Sequence, residues 1–290
     1  MNSKSLLRFK AVDPEARLGL PTGKFSTPHP TTSFLGGCVV MGVIYGIALL
    51  GRNTGEFGAE AWRYLAGYQG FPIIMMVLAS CSASILIIKG LKVRAQRRAL
   101  AIHIVPSDPK FAVTSSTALK VVQVIESAVE DSRSFMYFNR IIVAMRSMRN
   151  VGRIGDIDEM LQSAAGNDEA LAESGYTLLK GFVWAIPVLG FIGTVVGLTQ
   201  AMGKFKVALD PVMNGGGSQD VQKVSQGLMQ VLGGLDVAFV TTGESLILVF
   251  IIHIASVFVR SADEALLDDT REAAHENIAA RVRIEPDSGA

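Results

Sequence analysis

The chain has 290 residues, of which 49% are hydrophobic and only 18% are charged, a composition too apolar for an ordinary soluble domain. Its net charge of +1 and the lack of basic patches interleaved with aromatic residues argue against nucleic-acid binding. The two cysteines, Cys38 and Cys81, lie in apolar stretches, so we expect packing residues and not a disulfide or metal pair. These properties favour a protein that resides in a lipid bilayer.

Four apolar segments each approach or exceed the roughly 20 residues that a helix needs to cross a bilayer. They are preceded by residues 1–33, a polar stretch that does not have the pattern of a cleavable signal peptide. The first segment is short and rich in glycine, so a re-entrant or tilted segment is an alternative to a full span there. In chain order the four segments are 34–51, 70–91, 179–203 and 235–259.

The distribution of lysine and arginine predicts the orientation of these spans. With the N-terminus inside, the three inside segments hold 22 of the 27 basic residues. The clearest local signal follows the second span, where five basic residues occur with no acid among them: Lys89, Lys92, Arg94, Arg97 and Arg98. Both termini are therefore predicted to lie in the cytoplasm.

The predicted fold is an all-α membrane protein with four transmembrane helices arranged as two hairpins and a helical cytoplasmic region between them. Five parts follow from this prediction: a cytoplasmic N-terminal tail (1–33), a first transmembrane hairpin (34–91), a helical cytoplasmic region (92–178), a second, channel-type hairpin (179–260) and a cytoplasmic C-terminal tail (261–290).

Within the cytoplasmic region, apolar positions recur at helical spacing over residues 116–149 and again from Asp156 onward. The charges of these segments suit a solvated helix face, with a contact surface for a soluble partner as the alternative. Chain breaks or turns are predicted at three places: Pro106 and Pro109, Gly152 and Gly155, and Gly166-Asn167.

The third span carries small and polar residues on one face. Pro187, Thr194 and Ala201 recur at seven-residue intervals and lie nearly along one stripe of a helix. Tight helix packing alone, with Thr194 bonded to its own backbone, is the alternative to a polar path. Three glycines near the stripe allow helices to approach closely in lipid: Gly190, Gly193 and Gly197.

The fourth span runs in the opposite direction, and Thr241, Thr242 and Ser245 form one polar face on it. Counted from the outer ends of their spans, Thr194 and Thr242 lie at depths of roughly 13 and 10 Å. The two hydroxyls can therefore meet at one level of the membrane.

Glu244 is a carboxyl near the middle of the fourth span, where ionisable residues are usually functional. It projects about 160° away from Thr242 around the helix. We therefore expect it to face a neighbouring helix or subunit, with a direct role in ion relay as the alternative. Asp236 suits a solvated outer mouth and His253 an inner interface, and no metal site is expected at either.

Together these residues resemble the MotA/TolQ/ExbB proton-channel family over roughly residues 170–260. Two departures occur in the second motif, since the family usually has glycine in place of Ser245 and an apolar residue in place of Glu244. The resemblance rests on two motifs: Pro187-x-x-Gly190-x-x-Gly193-Thr194-Val195-x-Gly197-Leu198, and Ala238-Phe239-x-Thr241-Thr242-x-x-Ser245-Leu246.

The resemblance implies a homo-oligomeric ring, typically a pentamer, in the bacterial inner membrane. Such a ring surrounds the transmembrane helices of two copies of a MotB/TolR/ExbD-like single-span protein, whose aspartate takes up and releases the ion. By motif position, Thr194 and Thr242 would line the ion path with Thr241 close by, and Pro187 would shape the inner half of the third span. The transported ion would be H⁺ or Na⁺, and no cofactor is implied.

Two other functions compete with an ion-driven motor. A membrane scaffold or assembly factor would use the glycines for packing only. A secondary transporter would need inverted repeats and broken helices, and the two hairpins share no visible similarity. An enzyme is not expected, since the sequence shows no nucleophile–base pair, nucleotide motif or cofactor box.

Overall fold

The computed structural model describes residues 7–67, 70–102, 114–147, 154–213 and 220–278. The protein is all-α, apart from one short parallel pair of strands in the described part of the chain. The strands are β1 (Leu7–Arg8) and β2 (Val129–Glu130). The helices are α1 (Phe9–Val12), α2 (Pro14–Arg17), α3 (Pro30–Gly51), α4 (Glu56–Gly67), α5 (Phe71–Leu100), α6 (Ser115–Ala128), α7 (Met136–Ser147), α8 (Ile154–Ser174), α9 (Thr177–Met213) and α10 (Asp220–Asn277).

Four of these helices are long and apolar enough to cross a membrane, namely α3, α5, α9 and α10. This confirms the predicted fold class and a multi-pass membrane protein. The helices α5 and α10 continue well beyond the predicted spans, α5 on its C-terminal side and α10 on both sides.

The chain divides into two compact units. Unit 1 comprises residues 1–34, 85–177 and 256–290, and unit 2 comprises 35–84 and 178–255. The division of the sequence into two tails, two hairpins and a cytoplasmic region stays a prediction, since the units cut α5 and α10 part-way along their length.

The core of unit 1 is built from α6, α7, α8, the N-terminal segment and the C-terminal ends of α5 and α10. Phe135 lies at its centre, edge-on to Phe9 and Phe138 with ring centroids 5.6 and 6.2 Å apart. Edge-to-face rings of this kind add specificity to apolar burial. The apolar residues that recur at helical spacing are therefore the ones that face the core of this unit.

The helical pattern over residues 116–149 is interrupted in the structure. Val129 and Glu130 leave α6 to pair with Leu7 and Arg8 as strands, and Asp131 then adopts a positive φ of 55°. A single non-glycine residue in this left-handed region turns the chain and separates α6 from α7.

The predicted break at Gly166-Asn167 is wrong, because α8 continues through both residues and ends at Ser174. Gly155 likewise lies inside α8, one residue after its start. The other two predicted break sites, Pro106 with Pro109 and Gly152, lie outside the described residues.

The N-terminal segment is folded against unit 1 by a buried ion cluster. Lys92 is fully buried and contacts the carboxylates of Asp13 and Glu15 at 3.3 and 2.6 Å. Burial alone would raise the pKa of Glu15, but hydrogen bonds from Lys92, from the Thr32 hydroxyl and from two backbone N–H groups hold that pKa below its usual value. The polar stretch predicted as a tail thus has specific tertiary contacts from residue 7 onward.

Two more buried ion pairs connect distant helices of unit 1. Lys89 of α5 contacts Asp263 of α10 at 2.9 Å and lies 4.1 Å from the centre of the Tyr176 ring. Arg140 of α7 contacts Asp168 of α8 at 2.7 Å. Because an unpaired charge is costly to bury, each pair specifies which helices meet.

Candidate functional site

The helices α9 and α10 pack against each other in unit 2 through small residues. A Cβ atom on Gly197 would lie 2.9 Å from the backbone nitrogen of Ala238, closer than such atoms approach in proteins. The backbones are therefore in contact, as the glycines of the sequence predicted. The contact is antiparallel and has four levels: Gly190 with Ser245, Gly193 with Thr241, Gly197 with Ala238, and Ala201 with Gly234.

Beside this contact, the hydroxyls of Thr194 and Thr242 are hydrogen-bonded to each other. Thr194 also lies 3.2 Å from the carbonyl oxygens of Gly190 and Ala238, and Thr242 lies 3.1 Å from that of Ala238. Both threonines are partly exposed. Counting residues along the two spans predicted that these hydroxyls lie at one level of the membrane. In the structure they are in contact.

Thr241 and Ser245 lie in the helix interface, each about 1% exposed. The Thr241 hydroxyl donates to carbonyls of its own helix, 3.0 Å from that of Val237, and its side chain packs on Gly193. The Ser245 hydroxyl donates to the carbonyl of Thr242 at 2.8 Å. Of the three hydroxyls on the polar face of the fourth span, Thr242 is thus the one that pairs with Thr194.

The remaining predicted residues have varied surroundings. Pro187 lies inside α9 and is partly exposed, and its missing N–H leaves the carbonyl of Val183 without its usual helix bond. Glu244 is 8% exposed, the lowest value for a charged residue among those described in unit 2. Asp236 and His253 are exposed.

The sequence analysis did not identify one hydrogen-bond acceptor beside the hydroxyl pair. The carbonyl oxygen of Ala238 lies 3.1 to 3.2 Å from the hydroxyls of Thr194, Thr241 and Thr242. Threonine commonly bonds the carbonyl three or four residues earlier in a helix, and that spacing was the available signal. Ala238 is thus the shared acceptor that fixes where the hydroxyl pair lies.

The hydroxyl pair can serve either form of an approaching acid. A threonine hydroxyl has one hydrogen to donate and two acceptor lone pairs. When one hydroxyl donates to the other and the second donates to a carbonyl, both hydrogens are used and acceptor lone pairs remain. A protonated carboxyl can donate to these lone pairs. A carboxylate can instead receive the hydrogen that was directed at Ala238 or Gly190.

Comparison with known families gave one match, which covers this hairpin. A sequence model of the MotA/TolQ/ExbB proton channel family matches residues 138–271. Residues 138–271 form a MotA/TolQ/ExbB family segment. The match confirms the resemblance that the two motifs carried. Comparison with curated proteins and with solved structures gave no match to the chain.

The family segment is longer than the motifs indicated. It begins at Phe138 in α7 and ends at Arg271 in α10, so it includes helices of unit 1 as well as the hydroxyl pair. It also contains the buried pair of Arg140 and Asp168. Within the part of the chain that is described, no group of three or more His, Cys, Asp or Glu side chains is placed to hold a metal ion.

Proposed function

We propose that this protein is the ring-forming subunit of a proton- or sodium-driven membrane motor. It conducts ions at its interface with a small single-span partner that carries an aspartate, and it converts ion flow into mechanical work. The observation that carries the proposal is the partly exposed hydroxyl pair of Thr194 and Thr242 within a MotA/TolQ/ExbB family segment.

The pair suits a partner's carboxyl because it has no charge of its own. A threonine hydroxyl does not titrate at physiological pH, so it can guide a proton but cannot store one. The partner's aspartate stores the proton, and the threonines hydrogen-bond it in both protonation states. Each arrival and departure of a proton then exchanges one hydrogen bond for another, which keeps the energy of the two states similar.

The family segment and the exposed apolar surface support a proposal for the wider assembly. Large apolar side chains on α9 and α10 are exposed on the single chain, among them Trp184, Phe191 and Phe239 at 72%, 68% and 72%. Such side chains suit lipid or neighbouring subunits. We place the protein in the bacterial inner membrane with both termini in the cytoplasm, as a homopentamer around two copies of a MotB/TolR/ExbD-like partner. In this role it is not an enzyme.

The test compares two threonines of α9. Thr194→Val keeps the side-chain volume but removes the hydroxyl, and should abolish ion flux into proteoliposomes that contain the protein with its co-purified partner. Thr199→Val is the matched control, since Thr199 is exposed. Among the described residues, its hydroxyl bonds only the carbonyl of Val195, at 2.8 Å. Undiminished flux in Thr194→Val, with assembly intact, would refute the proposal.

A membrane scaffold is the second candidate, favoured by the close contact of α9 and α10 and by hydroxyls that also bond carbonyls of these helices. If the protein is a scaffold, both Thr194→Val and Thr242→Val should leave its function unchanged. It also expects affinity purification of the full chain to recover no small single-span protein. Co-purification of a protein with one span and an aspartate in it favours the motor.

A further inference from the structure

One side of α5 changes from apolar to basic towards the C-terminal end of the helix. The change occurs within unit 1, beyond residue 84. The side chains concerned are exposed on the single chain, Ile87 by 55% and Leu91 by 42%. Four residues lie within about 60° of one another around the helix axis, and we call them the α5 stripe: Ile87, Leu91, Arg94 and Arg98.

The opposite side of α5 is the one that packs within unit 1. Lys92 and Gln96 lie there, and both are buried. Lys92 bonds the Glu15 carboxylate at 2.6 Å, and the Gln96 side-chain oxygen accepts from the backbone N–H of Met136 at 2.9 Å. The α5 stripe therefore faces away from the protein core of its own unit.

The two arginines of the stripe differ from their neighbour Arg97. Arg97 lies 3.8 Å from the carboxylate of Asp269 in α10. Arg94 and Arg98 are exposed, and neither has an ion-pair or hydrogen-bond partner among the residues that the structure describes. They present two uncompensated positive charges on one side of the helix.

The position of the arginines along α5 indicates what covers them. The helix is apolar and long enough to cross a membrane, and exposed apolar side chains such as Leu91 suit contact with acyl chains. Arg94 lies about 4.5 Å further along the axis than Leu91, and Arg98 about 10.5 Å further. The headgroup layer of a bilayer is roughly 5–7 Å thick, and a long arginine side chain can bend back towards it. Both guanidinium groups can thus reach lipid phosphates.

We propose that the α5 stripe binds an anionic phospholipid. The acyl chains lie against Ile87 and Leu91, and the guanidinium groups of Arg94 and Arg98 donate hydrogen bonds to phosphate oxygens. A guanidinium matches phosphate geometry with two parallel N–H bonds. The two arginines lie about 6 Å apart along the axis, which suits a headgroup with two phosphates, such as that of cardiolipin. Lipid is the occupant because the basic half continues directly from the apolar half, which a soluble anion would not use.

This site goes beyond the proposed motor function. It lies on α5 and includes neither the hydroxyl pair of α9 and α10 nor the partner's aspartate. Lipid binding and ion flux can therefore be measured separately, and either can fail while the other holds.

The test measures binding of cardiolipin to the delipidated full-length protein in detergent, by native mass spectrometry over a lipid titration. Arg94→Gln/Arg98→Gln removes both charges of the stripe. Each basic side chain near an anionic lipid contributes a factor of about five, so this variant should weaken binding by about 10- to 25-fold. The matched control, Lys120→Gln/Arg133→Gln, removes two exposed bases of unit 1 that lie outside α5, and should change binding by less than twofold.

Three outcomes would overturn the proposal. One is an equal loss of affinity in the stripe variant and the control, which would mean attraction to general surface charge. Another is binding of phosphatidylcholine as tight as that of cardiolipin, which would mean that the stripe is covered by protein or selects no charge. The third needs no variant: cardiolipin with a photoreactive group next to its headgroup should label the unmodified protein on α5 near the stripe, and labelling confined to other helices would contradict the site.

Discussion

The two units of the molecule use buried polar groups in opposite ways. In unit 1, the fully buried Lys89 and Lys92 are each held by carboxylates from distant parts of the chain. In unit 2, the hydroxyls of Thr194 and Thr242 bond each other and carbonyls of their own helix pair. The first arrangement specifies which segments meet. The second leaves hydrogen bonds that can be exchanged at little cost, which suits the ion path that we propose.

The largest expected effect comes from breaking a buried ion pair of unit 1. Lys89→Met leaves Asp263 buried without its cation, and should destabilise the protein by about 3–5 kcal/mol. Thermal unfolding in detergent, followed by circular dichroism, measures the loss. Lys120→Met, at an exposed site of α6, is the control and should change the unfolding temperature little.

A double variant sharpens this result. Lys89→Met/Asp263→Leu removes both charges, so it should recover much of the stability that the single variant loses. If the single variant is as stable as the control, then Lys89 and Asp263 do not determine how the helices of unit 1 meet.

The next effect tests the close contact of α9 and α10. Gly197→Ala places a methyl group against backbone atoms of Ala238 and Gly234, which cannot move aside as a side chain can. Overpacking of this kind should cost about 1–3 kcal/mol. Gly203→Ala on the same helix meets no atom within 4 Å and should be neutral or slightly stabilising. Equal stability of the two variants would contradict the packing described here.

The smallest expected effect is a pH dependence of stability that arises from Glu15 of unit 1. Because the pKa of Glu15 is lowered in the folded protein, the carboxylate contributes stability above its unfolded value of 4.5 and loses it as pH falls through the folded pKa. Glu15→Gln should therefore unfold at a lower temperature than the unmodified protein at pH 7, and the difference should shrink towards pH 4. A difference that is constant with pH would contradict this assignment.

The membrane part of the fold could be predicted from the sequence, because apolar length and helical spacing are local properties. The meeting of Thr194 and Thr242 could also be predicted, since depth along a helix follows from counting residues. The contacts of Lys89 and Lys92 could not. Their bonds to Ala172 and Gly23 join residues 83 and 69 positions apart, and no periodicity indicates which distant group a buried lysine selects.

The same reasoning explains one wrong prediction in unit 1 and one set of contacts that the sequence did not indicate. Gly166 and Asn167 weaken a helix locally, yet α8 continues because Arg140 binds Asp168 beside them. Residues 1–33 are predicted as a tail because they are polar, and their polarity alone does not indicate that Asp13 and Glu15 bind Lys92. In α8, a tertiary contact overrode a local signal.

We propose above that hydroxyls such as that of Thr242 take part in ion conduction. Ion flux into proteoliposomes, with the partner present, tests it most directly through the pair Thr242→Ser and Thr242→Val. Serine keeps the hydroxyl and should retain most of the flux, while valine keeps the volume and should reduce the flux to the background of empty liposomes. Equal flux through both variants would contradict the account.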